Sequence, residues 1–122
     1  MRRGARPDRG SATVFAAAIS LVLVMAATAA MIVVAVMLAS HRAGSAADLA
    51  ALAAAAAEVS GGEACPAARI NARTNGAEVS SCAVTGDTAS FVVAVTVTTT
   101  TGLRAPLPTT VSAEARAGNV AG

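Results

Sequence analysis

The chain has 122 residues, 55% of them hydrophobic, with two Phe and no Trp or Tyr. Its net charge of +2 is split: Arg2, Arg3, Arg6 and Arg9 against Asp8 give +3 over residues 1–10, and five Arg against six carboxylates give −1 over residues 41–122. That split, with no Lys and no aromatic residue among the arginines, argues against nucleic-acid binding, and the roughly 80 residues beyond the apolar segment suffice for one small domain only.

Residues 1–10 form a short basic tail with Pro7 and two Gly, expected to be unstructured and, by the positive-inside rule, cytoplasmic. From Gly10 to Ser40 the chain carries no Asp, Glu, Lys, Arg or His. About 20 apolar residues span a bilayer core as a helix, so residues 11–40 are read as a transmembrane helix in contact with membrane lipid. A small-residue patch, Ala26 to Ala30, divides two bulkier halves and suits close helix–helix approach. The rival reading is a secretory signal peptide, cleaved near that patch to release the C-terminal remainder of the chain. A signal peptide's apolar region is typically about 7–15 residues, and this run is about twice that.

Residues 41–60 are rich in Ala and Leu and are expected to extend the membrane helix as an amphipathic rod. Gly44 is a candidate kink and Gly61-Gly62 a stop. Leu49, Leu52 and Val59 share one face. Arg42 and Asp48 are the charges here before Glu58, and they are candidates for a salt link to each other or for contact with a partner subunit. Ser45, three residues before Asp48, has the spacing of a helix N-cap. His41, the single histidine, reads as an interfacial residue at the membrane surface.

Residues 61–117 read as a small extracytoplasmic α+β module. A short helix is expected over 63–76, with Cys65-Pro66 in its first turn and Asn75-Gly76 at its end. Strands are expected over 77–85, 90–101 and 109–116. The second is the clearest, with Phe91, Val93, Val95 and Val97 on one face at period two. The threonine run Thr96 and Thr98 to Thr101 suits an exposed strand face. The three strands make an antiparallel meander whose apolar face needs a helix to cover it, and 118–122 is a frayed tail.

Cys65 and Cys82 both fall on the outer side. An even count in a small exported module points to a disulfide, worth about 3 kcal/mol by loop-closure entropy. The alternatives are two unpaired small hydrophobes or a metal site, for which two Cys and a distant His41 supply too few ligands. No nucleophile–base pair, metal set or phosphate loop stands out, so neither catalysis nor a cofactor is expected.

These segments resemble a known family. Arg9-Gly10-Ser11-Ala12-Thr13-Val14-Phe15 leads into the apolar helix, and Arg42-Ala43-Gly44-Ser45-Ala46-Ala47-Asp48-Leu49-Ala50-Ala51-Leu52-Ala53 comes directly after it. The pattern is similar to the TadE-like and TadG-like pilus-assembly proteins of tight-adherence (Flp) systems, in particular the short actinobacterial TadE-like proteins encoded beside helicase and secretion genes. The resemblance implies a membrane-anchored, pilin-like α+β fold and a minor pilin, pseudopilin or assembly role. Its partners would be other pilin-like or secretion-apparatus subunits. It also implies a prepilin peptidase acting between Gly10 and Ser11. Pilins usually carry Glu at the fifth mature residue; this chain has Phe15 there. The alternative function is a secreted effector or binding module freed from its apolar segment.

Overall fold

The structure is a computed structural model that describes residues 5–119. Two helices precede three strands: α1 Ala5–Val59, α2 Ala64–Thr74, β1 Glu78–Gly86, β2 Phe91–Thr100 and β3 Thr110–Asn119. The chain divides into two compact units, Met1–Val34 and Ala35–Gly122.

α1 is longer than the sequence suggests. The expected unstructured tail lies partly outside the described residues, and from Ala5 onward it is already helical. Pro7 is the third residue of the helix, in the first turn, where its missing N–H and fixed φ cost nothing. Ala-rich sequence then carries the helix through Gly44 without interruption. α1 ends as anticipated at the glycine pair: Gly61 adopts φ +81°, its N–H reaches Glu58 O at 3.1 Å, and the Gly62 N–H reaches Ala57 O at 2.8 Å. α2 ends the same way, with Gly76 at φ +75°, its N–H on Arg73 O and the Ala77 N–H on Ala72 O. Both are Schellman closures, which satisfy the last carbonyls and need a residue tolerant of positive φ.

The three strands form one antiparallel sheet in the order β1-β2-β3. β2 is central and pairs along nearly its whole length on both sides. Ser80 is the extra residue of a bulge in β1, and its hydroxyl donates to Thr96 O. Strand β3 runs to Asn119, past the expected end at Arg116, because Phe91 and Val92 of the central strand still offer ladder partners to Asn119 and Gly118. The rest of the expected tail lies outside the described residues. Gly86 and Gly118 flank the start of β2. A Cβ on Gly86 would meet Ser90 O and stand 2.9 Å from Phe91 Cα, and one on Gly118 would meet Phe91 O and stand 2.8 Å from Val92 Cα.

The core of the second unit joins two unlike surfaces. The sheet supplies bulk: Phe91, Val93, Val95 and Val97 line one face of β2, as the period-two pattern predicts, with Ala115 beside them on β3. The helices supply methyl groups only. Ala43, Ala46, Ala47, Ala50, Ala51 and Ala54 of α1 and Ala64, Ala68 and Ala72 of α2 are buried in the same cluster. Large residues on one side and small ones on the other allow close approach without voids.

Candidate functional site

The feature with functional weight in the first unit is the apolar surface of α1. Its apolar window is 0% buried, and the helix is long and apolar enough to cross a membrane. Val14, Phe15, Leu21, Val22, Leu23, Val24, Met25 and Met31 all stand more than 60% exposed. A helix that is apolar all round requires an apolar surrounding. Its internal hydroxyls make no demand on that surrounding: Ser20 Oγ donates to Ala16 O at 2.9 Å, and Thr28 Oγ1 to Val24 O at 2.8 Å. Such i−4 bonds suit a helix in lipid, where an unpaired polar group is costly. Gly10 and Ser11, the bond a prepilin peptidase would cut, lie within α1 and are exposed.

In the second unit the structure shows which face of α1 is covered. Leu49, Leu52 and Val59 do share a side, but it is the solvent side, at 45%, 60% and 69% exposure. The alanines face the core. Arg42 and Asp48 are both exposed and are not joined to each other. Six residues of α-helix separate them by about 9 Å along the axis and about 120° around it, which rules out an intrahelical pair. Ser45 lies in mid-helix, so its N-cap spacing with Asp48 caps nothing. His41 is exposed on the same helix.

Cys65 and Cys82 form a disulfide with Cα atoms 5.9 Å apart, tying the first turn of α2 to the middle of β1. The threonine run is not uniformly exposed as expected. Thr99 follows the inward alternation of β2, is 8% exposed, and donates from Oγ1 to Gly76 O at 3.2 Å. It thereby fixes the end of α2 on the central strand. Thr98, on the outer face, shares a 3.2 Å hydrogen bond with Ser112.

One open cleft of about 440 Å³ lies where α2 meets the strand ends, bordered by Arg73, Glu78, Thr98, Thr100 and Thr110. It offers a guanidinium, a carboxylate and hydroxyls, with no histidine or thiol. Among the described residues no group of three or more His, Cys, Asp or Glu side chains is placed to hold a metal. The arrangement suits surface contact: an apolar helix in one unit, and in the other a leucine-bearing helix face on a disulfide-closed scaffold. The residues sequence reasoning missed are the core alanines. Their 3–4 spacing was present in the sequence but hidden, because Ala occupies nearly every position around them.

No family model, curated protein or solved structure matches the chain.

Proposed function

We propose that the chain is a TadE-like structural subunit, a minor pilin, pseudopilin or assembly component of a Flp-type pilus or related secretion apparatus. It sits in the cell membrane as a single-pass protein, basic N-terminus inside and disulfide-closed module outside, and acts by binding other subunits. The observation that carries this reading is the apolar window of α1, none of it buried. The four arginines that precede it support the orientation, and the disulfide fits an oxidising exterior. Contact residues of this subunit are Arg42 and Asp48, and the bond Gly10–Ser11 is its processing point.

A second reading, a secreted module freed from the apolar segment, draws support from the division at Val34/Ala35. The sheet and the alanine faces that pack on it all lie C-terminal to that point.

A topology reporter fused after Gly122 is expected to read extracytoplasmic, and the chain to stay in carbonate-washed membranes; a cytoplasmic signal overturns the proposal. N-terminal sequencing from native membranes separates the forms: Met1 marks an anchor, Ser11 a processed pilin, and a start beyond Ala30 the secreted product.

A further inference from the structure

We propose that the cleft at the end of the sheet binds a short peptide with both ends free. Its amino end lies beside Glu78, its carboxylate beside Arg73, and an inner peptide group on the backbone of Thr100. The proposal is independent of the membrane reading, because every group it uses belongs to the second unit.

The cleft opens because the strands differ in extent. β1 begins at Glu78, opposite Thr98, whereas β2 continues to Thr100, opposite Thr110 of β3. The Thr101 N–H donates to Thr109 O, on the β3 side. Successive residues of an antiparallel strand direct their backbone groups to opposite sides, so the N–H and C=O of Thr100 point to the side where β1 has not yet begun. No backbone group meets them among the described residues. The chain leading into β1 does not fill the place. The N–H groups of Gly76 and Ala77 turn back onto Arg73 O and Ala72 O, and Gly76 O accepts the Thr99 hydroxyl. A donor and an acceptor on one residue are what a strand offers to an added extended peptide.

The charges select the ligand. Arg73, in the last turn of α2, and Glu78 border the same cleft and are exposed. Neither has an ion-pair partner among the described residues. Opposite charges left unpaired on one small cleft match a ligand that carries both signs: an ammonium for Glu78 and a carboxylate for the guanidinium fork. A ligand of one sign leaves one wall unpaired or is repelled by it. A single amino acid has no peptide group to place on Thr100, and two or three residues supply one. At about 440 Å³ the cleft is in the range of small-ligand sites. Between the charges its walls are mostly threonine, without an aromatic ring, so small side chains fit.

The test is a titration of the isotope-labelled full chain in detergent micelles, followed by nuclear magnetic resonance. Trialanine is expected to move the Thr100 and Glu78 amide signals saturably. Blocking either end, as N-acetyl-trialanine or as trialanine amide, is expected to weaken binding about fivefold, the upper range for an exposed ion pair. Methylating the central nitrogen removes the donor for Thr100 O and is expected to weaken binding as well. Glu78→Gln should make trialanine and its acetylated form bind alike, and Arg73→Gln should do so for trialanine and its amide. Trialanine that leaves the cleft signals unmoved, or that binds equally well with its ends blocked, overturns the proposal. Equal binding of the free and acetylated peptides to the wild-type chain marks a site for a carboxyl terminus alone and overturns the two-ended reading. The comparisons among peptides decide the matter even where a variant fails to fold. The reporter after Gly122 is untouched by any of these results, so the two readings fail or stand separately.

Discussion

Asp87 closes the β1–β2 hairpin with a single side-chain atom. Its Oδ1 accepts the backbone N–H groups of Ala89 and Ser90, each at 2.9 Å, while its own N–H donates to Ser90 O. The two bonds, that from Ser90 first, favour the ionised form and hold the carboxyl below its ordinary range. A pKa lowered by folding adds stability that is complete above the unfolded carboxylate's range and is lost as pH falls through the folded value. Wild-type protein should therefore melt higher than Asp87→Asn at neutral pH. The gap should narrow as pH drops through and below the carboxylate range. Thermal melts across that range check this, and a gap independent of pH refutes it. The residue's place in a turn was legible from the gap between the expected strands 77–85 and 90–101. The two bonds it accepts were not, because they depend on how Ala89 and Ser90 curl back toward it.

At the scale of elements, strands and helices differ in how plainly the sequence states them. The inward face of β2 was readable because Phe91, Val93, Val95 and Val97 recur at period two, and the observed strand Phe91–Thr100 lies within the expected 90–101. The ends of both helices were readable because Gly61 and Gly76 sit where positive φ is needed. The buried side of α1 was not. Leucine draws the eye to Leu49 and Leu52, yet a bulky sheet face leaves room for methyl groups only, and the leucines turn outward. Two substitutions tell the faces apart. Ala50 is fully buried, and Ala50→Leu should cost about 1–3 kcal/mol by overpacking. Leu52→Ala removes a larger side chain but an exposed one, and should change module stability by no more than about 0.5 kcal/mol. Urea unfolding of the two variants in detergent distinguishes these outcomes; equal losses would mean that the leucine face, not the alanine face, meets the sheet.

For the whole molecule, composition and the one uncharged run indicated the order of segments, and the structure added what each surface presents. Which neighbours those surfaces meet was out of reach of sequence reasoning, because the exposed stripe is defined by what the alanines cover. The second unit has few bulky residues to hold it, so its crosslink matters in proportion. Replacing Cys65 and Cys82 together by Ala should lower stability by about 3 kcal/mol, the loop-closure value for a span of 17 residues, a large share of what a small domain has. Denaturant titration of the module's sheet signal checks it.

The alanine ridge of α2 has a further consequence. Ala64, Ala68 and Ala72 are spaced by four, so sliding the helix one turn along the valine sheet would seat a methyl group where a methyl group already was. Dispersion and area alone barely tell these placements apart. The sulfur bridge and the Thr99 hydroxyl act as the index pin that selects one of them. A copy retained where thiols stay reduced would keep the Thr99 hydroxyl alone to hold that register, and an oxidising space supplies the second constraint.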